Sequence, residues 1–209
     1  MGLGMIAKRT RQRLRILVVE DEGLVAAGLK GQLEESGHEV VALARDGQQA
    51  VRLACDLHPD LIIMDIRIPG VDGIEAARAI LTREPIPIIF LTAYADEDLF
   101  RRAGEAGAIA YLLKPVDGAR LRSTIGVALA RFKDLDALRR EVTDLKEALE
   151  TRKLVEQAKG ILMRRMQLSE AEAFRRMQQK SRSNRMTLKE IASTILGAEG
   201  IFSGLEEST

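Results

Sequence analysis

Apolar residues fall in two patterns along this chain, and the change from one to the other comes near its middle. In the first part, short apolar runs alternate with stretches whose apolar residues recur every three or four positions. The runs are Arg15 to Glu20, Glu39 to Ala44, Leu61 to Asp65, Ile86 to Leu91 and Ala108 to Leu113, each of strand length. Between them lie helical patterns: Leu24, Val25, Leu29 and Leu33 closed by Gly37; Ala50, Val51, Leu53 and Ala54; and a stretch opened by the capping box Asp72-Gly73-Ile74-Glu75. A fourth runs from about Asp96 to Ala106 and stops at Gly107, and a fifth begins near Asp117. Strands alternating with helices through short links predict an α/β domain with a five-stranded, doubly wound parallel sheet.

From Leu121 to about Arg152 there is no proline, and apolar residues fall at Ile125, Ala128, Phe132, Leu135, Leu138, Val142, Leu145 and Leu149. This predicts a long linker helix with one apolar stripe, whose heptad is broken by an extra three-residue step around Leu138. The stripe must be buried, either against its own chain or in a coiled-coil dimer, and the dimer is the preferred reading. Three further helical segments follow, forming a small all-α domain. The first spans Leu149 to Met166, and the second is opened by the capping box Ser169-Glu170-Ala171-Glu172. The third is opened by Thr187-Leu188-Lys189-Glu190, with Met186 and Ile191 as a hydrophobic staple, and runs to Gly197. Residues 178–188 read as a long, loose connection.

Charge separates the same parts. Net charge is only +1, but it is +4 over residues 1–14, −6 over 15–130, −1 over 131–150, +7 over 151–196 and −3 from Gly197 onward. An acidic first domain and a basic last one predict a polyanionic partner for the latter. Aromatics at 3% and no tryptophan argue against an aromatic platform for single strands. One cysteine excludes an intramolecular disulfide framework, no run approaches membrane-spanning length, and the basic start lacks a signal-peptide core. A cytoplasmic protein without membrane contact is expected. His38 and His58 are read as surface residues, and Cys55 as inert packing.

The chemistry gathers at one sheet edge. The run Leu61-Ile62-Ile63-Met64, apolar on both faces, suits the middle of a parallel sheet, yet it ends on Asp65. Such an end is tolerable where it opens into the crevice that α/β sheets use for ligands. The first run ends on Glu20, Asp21 and Glu22, the fourth on Thr92, and the fifth on Lys114. Converging carboxylates call for a divalent cation, and hard oxygen ligands suit Mg²⁺. A carboxylate beside Mg²⁺ can attack phosphorus, and Thr92 and Lys114 could then hold the phosphoryl oxygens. The other reading of these residues is a metal-only or structural acidic cluster.

Residues 15–130 resemble a response-regulator receiver domain of two-component signalling. The resemblance rests on V-V-E-D-E at 18–22, M-D-I-R-I-P-G-V-D-G at 64–73, L-T-A at 91–93 and Y-L-L-K-P at 111–115. It implies a flavodoxin-like fold and makes Asp65 the phosphoacceptor. Asp21 and Asp65 are then Mg²⁺ ligands, with Glu20 assisting and the Arg67 carbonyl completing the set. Thr92 and Tyr111 become a switch pair, Lys114 a phosphoryl contact, and Arg67 and Tyr94 the positions that tune dephosphorylation. The implied partner is a sensor histidine kinase. The domain would assist its own phosphorylation and dephosphorylation without the protein being an enzyme or taking a small-molecule substrate. Glu20 departs from the more common aspartate but keeps the charge.

The last part resembles an ANTAR domain, an RNA-binding module of antiterminators, through E-T-R-K-L-V-E-Q-A-K-G-I-L-M-R-R at 150–165, S-E-A-E-A-F at 169–174 and L-K-E-I-A at 188–192. It implies binding to paired hairpins in leader RNA and hence transcription antitermination. Ala158, Lys159 and Gly160 are expected at the RNA-facing end, with Arg152, Lys159, Arg164, Arg165, Arg182 and Arg185 on phosphates. Helix packing is an equal reading for Ala158 and Gly160. The organisation expected is a basic tail at 1–14, a receiver at 15–130, a coiled-coil-like linker helix at 131–150, an ANTAR-like domain at 151–200 and a tail at 201–209. A homodimer is expected on phosphorylation. The alternatives are a DNA- or protein-binding output, or a constitutive dimer with vestigial phosphorylation.

Overall fold

The computed structural model describes residues 13–93 and 97–206. The basic tail is therefore outside the described residues except for its last two. The elements are β1 (Arg15–Val19), α1 (Gly23–Glu35), β2 (Glu39–Ala44), α2 (Gly47–Leu57), β3 (Leu61–Asp65), α3 (Gly73–Arg83), β4 (Ile88–Thr92), α4 (Glu97–Glu105) and β5 (Ala110–Leu113), then α5 (Gly118–Met166), α6 (Glu170–Asn184) and α7 (Leu188–Glu206). The chain divides into two compact units, residues 1–136 and 137–209.

The first unit is a parallel sheet in the order β2-β1-β3-β4-β5. Alternation along the inner strands sends side chains to two separate cores. On one face Leu17, Val19, Ile62, Met64, Ile88 and Phe90 meet Ala50 and Ala54 of α2, Ile74 and Ile80 of α3, and Ala103 of α4. On the other, Ile16, Val18, Ile63, Ile89 and Leu91 meet Leu29 and Leu33 of α1 and Leu121, Ile125 and Ala128 of α5. Both faces are covered, which is why these strands read as unbroken apolar runs. The strand order reverses between β1 and β3, so their C-terminal ends flank the crevice where such sheets bind ligands.

Two helix starts fix the loops beside that crevice. The Asp46 side chain accepts the Gln49 N–H, and the Asp72 side chain accepts the Glu75 N–H, both at 2.8 Å. Gly73 comes so close to the end of β3 that an added Cβ would lie 2.2 Å from the Asp65 carbonyl oxygen. Its N–H donates to the Ile66 carbonyl at 2.9 Å.

The second unit packs the end of α5 with α6 and α7. Val155, Ala158, Met177, Ile191 and Ala192 are its buried centre, with Leu154, Leu162, Phe174, Met186 and Ile195 around them. The predicted capping boxes form. Ser169 and Glu172 bond reciprocally at the start of α6, and Glu190 accepts from the Thr187 N–H while its own N–H reaches Thr187 Oγ1.

Three features differ from the sequence reading. The linker helix and the first helix of the basic domain are a single 49-residue α5, because nothing between them breaks a helix. The supposedly loose segment 178–188 is mostly helix, since α6 continues to Asn184 and only residues 185–187 link it to α7. Arg185 takes the left-handed conformation (φ 55°) that glycine often supplies at a helix end, so the stop signal was hidden in an arginine. Finally, α7 passes through Gly197 and continues to Glu206.

The glycine contacts make a paired prediction. Gly73→Ala should lower stability by about 1–3 kcal/mol, the usual cost of forcing extra volume into a packed site. Gly31→Ala, where an added Cβ meets nothing within 4 Å, should be neutral or stabilising by up to about 1 kcal/mol. Urea unfolding of the two variants beside the wild type measures both.

Candidate functional site

Sheet register builds the site. Asp65 is level with Leu91, Val19 with Met64, and Thr92 with Leu113. The residue after each of those strand positions therefore reaches the same edge. Lys114 is tied there through its own N–H, which donates to the Thr92 carbonyl at 2.8 Å, and Glu20 through its N–H to the Ala44 carbonyl at 2.9 Å. Glu20, Asp65 and Thr92 are 1%, 8% and 2% exposed, whereas Asp21 is exposed at the mouth.

Lys114 organises the carboxylates. Its Nζ lies 2.5 Å from Asp65 Oδ2 and 2.6 Å from Glu20 Oε2. Asp65 Oδ1 accepts the Arg67 N–H at 2.9 Å, so both oxygens of Asp65 are engaged. Glu20 Oε1 faces the Glu22 N–H at 3.3 Å. Burial pushes the Glu20 carboxyl above its ordinary value, against the hydrogen bond and charge of Lys114, which pull it down. Burial acts on Lys114 in the lowering direction, but the hydrogen bonds and charges of Asp65 and Glu20 outweigh it and hold the ammonium above its usual value.

Carboxylate oxygens of Glu20, Asp21 and Asp65 all lie within 4.8 Å of one another, the only such acidic cluster among the described residues. Three hard oxygen donors, one of them open to water, fit a divalent cation of the Mg²⁺ kind. Thr92 is brought to the same edge. Tyr111, on the outer strand β5, is 50% exposed. Arg67 is exposed beside Asp65, and Tyr94 lies outside the described residues.

In the second unit the predicted RNA-facing residues are not equivalent. Arg152, Arg164, Arg165, Arg182 and Arg185 are exposed, and Gly160 is half-buried, where an added Cβ would meet only Arg164 Nη1, at 3.9 Å. Arg165 Nε lies 2.9 Å from Glu199 Oε2. Ala158 is fully buried in the three-helix core, so the packing reading holds for it. Lys159 is 8% exposed, with its ammonium 2.6 Å from Glu170 and 2.9 Å from Glu156, over the Phe174 ring. The hydrogen bond to Glu170, then that to Glu156, holds it above the ordinary lysine value. In this arrangement Lys159 ties the start of α6 to α5 and does not offer its charge to a phosphate. Sequence spacing had no means of separating these two buried residues from their exposed neighbours.

The family model of the response regulator receiver domain matches residues 16–126, and that of the ANTAR domain matches residues 143–196. The transcriptional regulatory protein PdtaR of Mycobacterium tuberculosis is 46% identical over 187 residues, covering 89% of this chain and 91% of that protein. The transcriptional regulatory protein LiaR of Bacillus subtilis is 41% identical over 117 residues, covering 55% of this chain and 56% of that protein. Among solved structures, the receiver domain of a sensor histidine kinase from Pseudomonas aeruginosa PAO1, with a magnesium ion coordinated in its active site cleft, superposes with a TM-score of 0.53 at 36% identity, covering 56% of this chain and 98% of that one. Among the described residues, no helix is long and apolar enough to cross a membrane.

The shift on Glu20 has a signed consequence. A carboxyl raised in the folded state favours folding at acid pH, and that contribution is lost as pH climbs through the raised value. Glu20 therefore contributes less to folding at neutral pH than at acid pH. Glu20→Gln should raise the urea midpoint in metal-free buffer, and added Mg²⁺ should raise the wild-type midpoint more than that of the variant. A lower midpoint for Glu20→Gln in metal-free buffer would refute this.

Proposed function

The chain belongs to the response regulators, with a receiver domain for input and an ANTAR domain for output, and from that premise we propose that phosphorylation of Asp65 controls its binding to paired hairpins in leader RNA, and thereby transcription antitermination. The observation that carries this is the buried Asp65–Lys114–Glu20 arrangement in a chain that ends in an ANTAR domain. We assign the receiver to residues 15–130, the linker to 131–150 and the RNA-binding domain to 151–200.

In the phosphorylation step, an Asp65 oxygen attacks the phosphorus of a histidine phosphate on a partner sensor kinase. The new oxygen–phosphorus bond forms as the phosphorus–nitrogen bond breaks, and the electron pair leaves with the imidazole. Glu20, Asp21, Asp65 and the Arg67 carbonyl would hold Mg²⁺, which neutralises charge on the transferring phosphoryl group. Lys114, already on Asp65 Oδ2, is placed to follow the charge onto a phosphoryl oxygen. The Thr92 hydroxyl supplies the second contact. Its movement would leave room for Tyr111 to turn inward, a local electrostatic event with a distant readout. Arg67 and Tyr94 are the residues proposed to tune loss of the phosphoryl group.

The route onward is α5. Leu121, Ile125 and Ala128 are buried in the receiver core, whereas Leu135, Leu138, Val142, Leu145 and Leu149 are 44–63% exposed. Two successive three-residue steps, Phe132 to Leu135 to Leu138, come where the exposed set begins. From Leu135 onward the spacing is a strict heptad, with Leu135, Val142 and Leu149 at a and Leu138 and Leu145 at d. Val142 is the one β-branched residue at a, the kind of residue that favours two strands when leucine fills d. Asp134 and Glu141 then occupy g, and Arg139 and Lys146 occupy e, so a parallel dimer opposes unlike charges and an antiparallel one opposes like charges. None of these four is in an intrachain ion pair among the described residues. The stripe and the three-helix core lie about 170° apart around α5, at about 100° per residue. A partner along the stripe would therefore leave α6 and α7 uncovered. Arg152, Arg164, Arg165, Arg182 and Arg185 remain the proposed phosphate contacts.

Two measurements test this reading. Affinity for a tandem-hairpin RNA should rise when beryllofluoride and Mg²⁺ are added, and the gain should vanish in Asp65→Asn. No RNA binding at low salt, with or without beryllofluoride, would overturn it. In sedimentation, Glu141→Lys should weaken the dimer and Lys146→Glu in the same chain should restore it, by roughly the 0.2–1 kcal/mol per exposed ion pair that such contacts contribute. Equal dimerisation by all three proteins would remove the parallel register.

A further inference from the structure

The second unit contains a recess that no assigned role uses. It has a volume of about 350 Å³ and lies between the end of α5, α6 and α7, floored by Leu162, Met166, Met177, Met186, Ile191 and Ile195. That volume is in the lower part of the small-ligand range, about 300–1,000 Å³. Its rim is polar and of one sign: Arg176, Lys180 and Asn184 rise from α6, and Thr194 from α7, with no carboxylate in the lining.

The rim residues of α6 are four positions apart and so stand on one face, one turn above another. Arg176 Nη1 lies 3.7 Å from Met166 Sδ, which places the guanidinium at the mouth. An apolar floor rejects phosphate and ribose, and a basic rim rejects a cationic or apolar peptide. A flat, uncharged heterocycle on an anionic strand satisfies both. We infer that this recess receives one unpaired base of the bound RNA, with the strand's phosphates following Arg176 and Lys180, and Asn184 bonding the base edge. Single-stranded loops are where proteins gain access to splayed-out bases, and guanidinium planes stack on them. Methionine and isoleucine here take the place of the aromatic platform that this chain lacks. The inference rests on the RNA-binding reading above and adds a site to it, since neither Arg176 nor Lys180 was singled out by motif.

The test uses the full chain and a tandem-hairpin RNA in which each loop base is replaced in turn by an abasic nucleotide. One abasic position should weaken wild-type binding by roughly ten- to hundredfold, the range for loss of one stacked base. Thr194→Trp, at an exposed helix position, lays an indole over the mouth, and thermal melting verifies that the variant is folded. It should bind the intact RNA as weakly as wild type binds that abasic RNA, and should lose nothing further on the abasic one. Asn184→Ala, which removes only the base-edge contact, should show the same non-additivity without altering the core. If both variants bind intact RNA as wild type does and keep the full abasic loss, the recess is not the base site, while the RNA reading stands. If wild type binds no hairpin RNA, both fail together. Protection of the recess by a small heterocycle that does not compete with RNA would also overturn the proposal.

Discussion

The ion triad at the sheet edge is the constraint on which the first unit depends. Register places Glu20 and Asp65 side by side at the ends of two buried strands, and among the described residues only Lys114, just past the outer strand, pairs with both. Two carboxylates nearly removed from water repel each other and are poorly solvated, so removing the lysine would leave a strongly destabilising pair. The raised state of Glu20 records what remains of that cost even with Lys114 present. A site built this way is primed for a charge exchange. A divalent cation can relieve the carboxylates, and the lysine is then free to meet a phosphoryl oxygen. The loop geometry follows from the same need, because Gly73 exists at its close approach to Asp65 to let the loop after β3 fold tightly beneath the crevice.

The exposed stripe of α5 is a second unbalanced feature, and its magnitude matters. Five partly exposed apolar side chains per chain, at about 1 kcal/mol each, give roughly 10 kcal/mol on pairing. Loss of translational and rotational freedom costs about 4–15 kcal/mol. The two are comparable, so in the proposed dimer two heptads alone would sit near the balance point. A small additional term from the receiver would then be enough to move the population, as the proposed switch requires. A longer or purely leucine seam would dimerise whatever the state of Asp65.

Most of this was legible in the sequence because it was carried by period and by position. The five runs fell on five strands, and strand ends are where chemistry collects in such sheets, so Asp65, Thr92 and Lys114 could be placed together before any coordinates. What was not legible depended on contacts across elements. Glycine was taken as the signal for a helix end, but Arg185 ends α6 in a left-handed turn and Gly197 lies inside α7. The reading of 178–188 as loose was therefore wrong. The preference for an RNA over a DNA output rests on the match to the ANTAR family.

Ala158, Lys159 and Gly160 show why a motif does not by itself identify contacts. They are adjacent on one helix, and helical geometry sends adjacent side chains about 100° apart. Ala158 points into the core, where anything larger would displace Met177 or Ile191; Lys159 reaches α6 and is neutralised by Glu156 and Glu170; Gly160 is half-buried, with only the flexible Arg164 side chain near it. Each residue type suits its own surroundings, and the triplet looks like a unit only in one dimension. The exposed positive charge of this unit extends instead along α6 and its short turn, from Arg175 to Arg185. Specific recognition by such a domain must arise from the shape these helices make together, because the residues that identify the family are largely the ones holding that shape.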